Sequence, residues 1–174
     1  MHINFEFKAR CNNIETIELK LKELNPLFIG VDKQVDTYFN ITNGRLKLRE
    51  GNIENSLIHY NRQDSKNVKQ SDVTLYELQP DKNLKDILTK ALGIKTIVEK
   101  ERKIYFIDNV KFHFDKVTEL GNFIEVEAID KEGSIGIDKL KEQCQYYIQL
   151  FGITPNQFIA ESYSDLLAKK SSTD

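Results

Sequence analysis

The stretch Asn4-Phe5-Glu6-Phe7-Lys8 constrains the fold of this chain more than any other. Read as a strand, it puts Asn4, Glu6 and Lys8 on one face and Ile3, Phe5, Phe7 and Ala9 on the other. An ordinary half-buried strand leaves its polar face in water. The alternative is that both faces are covered, with the apolar side packed on helices and the polar side lining the inside of a closed barrel. Matching polar stripes in other strands decide how much weight that alternative carries.

Such stripes recur. Arg45-Leu46-Lys47-Leu48-Arg49 alternates, with three cations on one face, and follows the hairpin signal Asn43-Gly44. The long segment Ile94 to Phe106 carries Lys100 and Arg102 on one face, while Glu99, Glu101 and Lys103 lie opposite and read as a solvated side. Lys111 to Val117 contains Asp115, and Phe123 to Ile129 carries Glu125 and Glu127 two residues apart. Further strands are expected at Val31–Asn40, Ser56–Arg62 and Val73–Gln79, the last stopped by Pro80, with Gln63–Asp72 as a loop. Helical spacing predicts Ile14–Leu24 behind an Asn12-Asn13 cap, Leu84–Leu92, Ile137–Phe151 and a short closing helix from Tyr163 to Lys169. About eight strands joined mostly by short links predict an α+β domain, a closed antiparallel β-barrel with flanking helices. Periodicity alone leaves a tunnel and a solvated antiparallel sheet as equal alternatives.

With 174 residues, 40% hydrophobic and 30% charged, the chain suits one globular domain with a sizeable core. Residues 1–168 read as that single domain and 169–174 as a frayed tail. A net charge of -2 argues against nonspecific nucleic-acid binding. No apolar run reaches membrane-spanning length and the start lacks a signal pattern, so no membrane association and a cytoplasmic location are expected. Cys11 and Cys144 read as buried free thiols. His2, His59 and His113 are scattered, so each reads as a solvated or satisfied histidine and a histidine metal site is not expected. There is no Walker A loop, dinucleotide fingerprint or convincing nucleophile–base pair. Tyr38 and Phe39 are expected near the mouth of any cavity.

The segregated charges suggest a chemistry. The acids are Glu6, Asp115, Glu125 and Glu127; the bases are Lys8, Lys47, Arg49, Arg62, Lys100 and Arg102. Alternate strand residues lie about 6.6 Å apart on one face. Carboxylates at that spacing can hold a hard divalent cation. Cations at that spacing can hold successive phosphates, and the planar fork of Arg suits them. Both sets together suit a metal-bound polyphosphate, with Mg²⁺ or Mn²⁺ on the acids.

Six motifs then bring a known family to mind. Asn4-Phe5-Glu6-Phe7-Lys8, Asp36-Thr37-Tyr38-Phe39, Lys47-Leu48-Arg49 and Lys100-Glu101-Arg102 occur in that order. The run from Asp115 to Glu127 and the ending Ser162-Tyr163-Ser164-Asp165-Leu166-Leu167 follow. In these the chain resembles the CYTH domain, or triphosphate tunnel metalloenzymes, and within it the class IV adenylyl cyclase branch. The resemblance covers residues 2 to 167.

The resemblance implies an eight-stranded antiparallel tunnel that holds a triphosphate and a divalent metal, Mg²⁺ or Mn²⁺. It implies action on ATP, thiamine triphosphate or tripolyphosphate, by cyclisation or hydrolysis. By position, Glu6, Glu125 and Glu127 would be metal ligands, with Asn4 an amide oxygen in place of the usual first acid and Asp115 supporting metal or substrate. Lys8, Lys47, Arg49, Lys100 and Arg102 would bind phosphates, with Arg62 as a further candidate. The departures are Asn4 for Glu, Lys47 for Arg and, in the next strand, Asn61 for Lys. They keep two other readings open, a non-catalytic triphosphate- or nucleotide-binding module and a purely structural domain. A homodimer is left open as the assembly.

Overall fold

The computed structural model describes residues 2–61, 68–79 and 81–171. Eight strands run β1 His2–Arg10, β2 Leu27–Phe39, β3 Arg45–Glu50, β4 Ser56–Asn61, β5 Lys69–Glu77, β6 Ile94–Ile107, β7 Val110–Val117 and β8 Gly121–Asp130. Four helices accompany them: α1 Ile14–Lys22, α2 Lys82–Leu92, α3 Ile137–Phe151 and α4 Tyr163–Ser171. The strands close in the order β1-β5-β4-β3-β2-β6-β7-β8, antiparallel throughout. Closure falls between β1 and β8, where Glu6 faces Glu127 and Lys8 faces Glu125. A closed ring leaves no sheet edge exposed. The expected α+β barrel with flanking helices is therefore the fold.

The apolar core lies outside the ring. Phe5, Phe7 and Ala9 of β1 and Phe112 and Phe114 of β7 meet Ile17 and Leu21 of α1 and Leu140, Cys144, Tyr147 and Phe151 of α3. Edge-on contacts of Phe112 with Tyr147 and of Phe7 with Phe158 interlock the layer. Each such fully buried side chain contributes about 1.5–3 kcal/mol. That stabilisation permits the inner face to be charged. A smaller apolar cluster of Tyr38, Ile58, Tyr60, Val73, Val98, Val117 and Phe123 lies with Tyr163, at the start of α4. By strand alternation its β8 member, Phe123, shares the inner face with Glu125.

Several boundaries differ from the sequence reading. β5 starts at Lys69, inside the expected loop, because Lys69 and Ser71 point inward and are buried. A polar alternation there looked like a loop only while its inner face was assumed to be solvent. β2 begins at Leu27 rather than Val31. α1 ends at Lys22, and Asn13 precedes it without a side-chain capping bond. α4 runs on through Lys170 and Ser171, past the expected helix end at Lys169. α2 has the expected amphipathic face of Leu84, Ile87, Leu88 and Ala91, yet none of its residues is buried. The Asn43-Gly44 hairpin forms with Gly44 at φ 74, where an added Cβ would also meet the Tyr60 carbonyl oxygen at 2.8 Å. Both cysteines are buried free thiols, as expected. No helix among the described residues is long and apolar enough to cross a membrane.

Candidate triphosphate and metal site

A cavity of about 950 Å³ fills the ring. Its lining is set by parity: each strand turns alternate residues inward. Asn4, Glu6 and Lys8 of β1, Lys47 and Arg49 of β3, Lys100 and Arg102 of β6, and Glu125 and Glu127 of β8 all line it. Ten of the eleven candidate residues are described. Nine of them line the cavity directly, and Asp115 lies behind Arg102 with no exposure at all. Arg62 lies outside the described residues.

One wall, β3–β2–β6, is organised by Asp36 of β2. Its carboxylate accepts two hydrogen bonds from Arg49, at 2.9 Å each, one from Lys47 at 3.1 Å and one from Lys100 at 2.7 Å. Burial would raise the Asp36 pKa, but Arg49, Lys100 and Lys47 together hold it well below the usual carboxylate range. Burial pushes the Lys100 ammonium down to about 7; Asp36 opposes this, while Arg49, Arg102 and Lys47 add to it. Asp36 was quoted in the sequence only as part of a motif. Its role emerges from β2 lying between β3 and β6, which collects cations from both neighbours.

A second acid enters from the β3–β4 loop, residues 51–55. Glu54 accepts from Arg49 at 3.0 Å and from Gln34 at 3.1 Å, and it also meets Lys111 of β7. Fully buried Asp32 pins the loop by accepting from the backbone N–H groups of Ile53 and Glu54. Gly51 is required there, since a Cβ would sit 2.6 Å from the Asp32 carboxylate. Neither Glu54 nor Lys111 was singled out from sequence. Glu54 stands in a loop without periodicity, and Lys111 begins a strand whose facing could not be known.

The opposite wall, β7–β8–β1, gathers acids. Arg102 forks onto Asp115 with two hydrogen bonds of 2.6 Å, and one of its nitrogens also reaches Glu125 at 3.1 Å. Tyr163 donates to Asp115 Oδ2, the oxygen that also takes one arm of the Arg102 fork, at 2.7 Å. Both Asp115 oxygens are thereby engaged in orienting Arg102. Lys8 lies 3.5 Å from Glu125 and 4.2 Å above the Tyr163 ring. Glu127 behaves differently. Burial, then the charges of Glu125 and Glu6, push its pKa up to about 7, with Lys111 opposing. Glu125 is pulled the other way: burial would raise it, but Lys8, the His113 hydrogen bond and Arg102 outweigh that and lower it.

One sequence expectation fails on this frame, and one histidine lies in an unexpected place. Asn61 does not stand where a phosphate-binding cation is missing, because it is exposed on the outer face of β4; the inward residues are Ser56, Ile58 and Tyr60. The strand's register, set by pairing with β3 and β5, decided the parity. His113 is not an isolated histidine. It is buried on β7 opposite Glu125, with Nδ1 3.4 Å from Glu125 and 3.7 Å from Glu127. Burial pushes its pKa down to about 3, with Arg102 and Lys111 adding to the shift. His59, by contrast, is a surface residue bonded to the Asn43 carbonyl.

The donor set fits a divalent cation. One atom each from His113, Glu125 and Glu127 lies within 4.8 Å of the others. Asn4 Oδ1 is buried, lines the same cavity and has no hydrogen-bond partner among the described residues. An unpaired buried amide oxygen is costly in a dry site and is stabilised by a cation.

The chain matches the CYTH domain family model over residues 2–163. It is also similar to solved structures. A Pyrococcus horikoshii protein is 22% identical with a TM-score of 0.78, over 95% of this chain and 99% of that one. A candidate adenylate cyclase of Vibrio parahaemolyticus is 15% identical with a TM-score of 0.76, over 95% and 98%. A candidate adenylyl cyclase of Hippeastrum with a dominant triphosphatase activity is 12% identical with a TM-score of 0.62, over 99% and 96%. No curated protein sequence matches significantly. At these identities the structural likenesses speak for the fold; the family match over nearly the whole chain goes further, and the chain belongs to the CYTH domain family.

Proposed function

We propose that this protein is a metal-dependent triphosphatase that binds a linear triphosphate across the tunnel and releases its terminal phosphate. The observation that carries this reading is the division of one cavity into a cationic wall and an acidic wall. A triphosphate lacks hydrogen-bond donors of its own and needs cations along its length, which Lys47, Arg49, Lys100 and Arg102 supply. Substrate entry requires these groups to exchange part of their pairing with Asp36 and Glu125 for phosphate oxygens. The Arg102 fork is held rigid by Asp115 and Tyr163, so little reorganisation is needed as charge develops. Glu125 and Glu127, with Asn4 on the neighbouring strand, would hold the Mg²⁺ or Mn²⁺ ion, and Glu6 completes the acidic wall. The bound ion would neutralise phosphate charge and activate water. Water attacks the terminal phosphorus, the bridging P–O bond breaks, and the diphosphate leaves with its charge held by the cationic wall.

Adenylyl cyclisation is the second reading, supported by the family alone. Triphosphatase chemistry is preferred because the paired charges of the lining answer to a triphosphate and a metal, which that reaction needs and no more; the cyclase reading would place the base among the apolar and aromatic lining residues, Tyr38, Ile58, Tyr60 and Phe106 among them. The test is an assay of tripolyphosphate, thiamine triphosphate and ATP, each with Mg²⁺ and with Mn²⁺. Phosphate release without cyclic AMP is expected. Cyclic AMP with pyrophosphate would favour the cyclase. Binding without turnover would favour a non-catalytic triphosphate module, and neither binding nor turnover would overturn the reading.

A further inference from the structure

We propose that His113 is a nitrogen ligand to the cation at the Glu125–Glu127 pair, and that it biases this site toward transition-metal dications over Mg²⁺. The inference rests on the metal-site reading above and goes beyond it by naming a ligand of a different chemical kind.

The geometry is the argument. An ion bound at about 2.1 Å holds its neighbouring ligand atoms roughly 3.0–3.4 Å apart, in octahedral or tetrahedral arrangement. His113 Nδ1 stands 3.4 Å from Glu125 Oε2 and 3.7 Å from Glu127 Oε1, so a small contraction forms a three-donor cradle. As a hydrogen bond the same arrangement is poor. One N–H shared between carboxylates at 3.4 and 3.7 Å makes only weak bonds to both, since 3.4 Å is already long for an N–H···O contact. The ring's other nitrogen, Nε2, is buried with no partner among the described residues. A second, independent sign is Asn4 Oδ1, a buried oxygen without a described partner lining the same cavity. Fold position makes the imidazole unavoidable. β7 pairs with β8 so that His113 faces Glu125, and the short β7–β8 turn keeps that register.

A nitrogen donor changes which ion is held. Oxygen-only sites suit Mg²⁺ and Mn²⁺, whereas an imidazole adds affinity most for the later first-row dications and, as a softer donor, more for Mn²⁺ than for Mg²⁺.

The experiment uses the full chain, stripped of metal and loaded with Mn²⁺ without substrate. Pulsed electron paramagnetic resonance is expected to show coupling to one imidazole nitrogen. In His113→Gln the coupling should vanish, the Mn²⁺ dissociation constant should rise about tenfold, and Mg²⁺ binding should change less than twofold. Mn²⁺ bound without nitrogen coupling in the unmodified protein overturns the ligand role while leaving the metal site intact. Failure of both Mn²⁺ and Mg²⁺ to bind overturns the metal reading as well. The spectrum of the unmodified protein decides the matter even where the variant folds poorly.

Discussion

The two walls of the tunnel bury similar numbers of charges and solve the resulting problem differently. On the β3–β2–β6 wall, Asp36 sits among Arg49, Lys47 and Lys100, and each of these four charges has an opposite within 3.1 Å. On the β7–β8–β1 wall, Glu125 has Lys8 and Arg102, but Glu127 faces Glu125 and Glu6 and has its pKa pushed up to about 7. On the first wall each cation has a carboxylate partner, although three share Asp36 and the crowding helps to hold Lys100 down at about 7. The second is short of positive charge, and that deficit is what a metal ion supplies. Burial is common to both, so the difference lies in which side chains the strand order brings together.

The largest effect should come from breaking the balanced wall. Asp36→Ala leaves three buried cations facing one another and is expected to cost about 3–5 kcal/mol, read as a lower urea midpoint. An unchanged midpoint would mean that Asp36 does not organise that wall. Next, Arg102→Lys keeps the charge but loses the fork onto Asp115, for an expected loss of about 1–3 kcal/mol in the same measurement. On the unbalanced wall the sign should reverse. Glu127→Gln removes a repelled carboxylate, so the metal-free protein should gain about 1 kcal/mol at pH 8 while losing its stabilisation by Mn²⁺. Smallest, Asn4→Glu adds a further acid: thermal stability without metal should fall by a few degrees, and the stabilisation by added Mg²⁺ should grow.

The pH dependence separates the walls in one titration. The Glu127 pKa is raised on folding, so its contribution is fully present below about 4.5 and is lost as pH rises through about 7. Asp36 and Asp115 are held below their ordinary values; their contribution is present above the unfolded carboxylate range near pH 4 and is lost as pH falls. Buried His113, held down at about 3, and Lys100, held down at about 7, work the other way, adding stability as pH rises toward 6.5 and above 7 respectively, so the Glu127 contribution is read as a difference between variants. The urea midpoint of Glu127→Gln relative to the unmodified protein should rise from pH 5 to 7, and added Mn²⁺ should stabilise the unmodified protein increasingly over the same range. A difference that does not grow with pH would contradict the proposed deficit.

Much of the barrel was legible because period-2 alternation is a local property. Asn4, Glu6 and Lys8 had to share a face, as did Glu125 and Glu127, whatever the strands paired with. The neighbours of His113 were hidden for the complementary reason. A histidine two residues before Asp115 looks isolated in sequence; only the β7–β8 register puts it against Glu125. Asn61 was misplaced because one residue of parity, invisible without pairing partners, separates the inner face from the outer. Glu54 left no periodic trace, since its position depends on a loop tied down by Asp32, 22 residues earlier in the chain.

The sequence by itself determined the alternation, the charges each strand could offer and the family to which they belong. Tertiary structure decided which face became the interior, that Asp36 would lie between two cationic strands, and that His113 would join the acids. The physical reason is range. Alternation follows from backbone geometry within a few residues, whereas the sharing of charge in a low-dielectric cavity depends on side chains within a few ångströms. Closure of β1 on β8, more than a hundred residues apart in the chain, is what sets those distances.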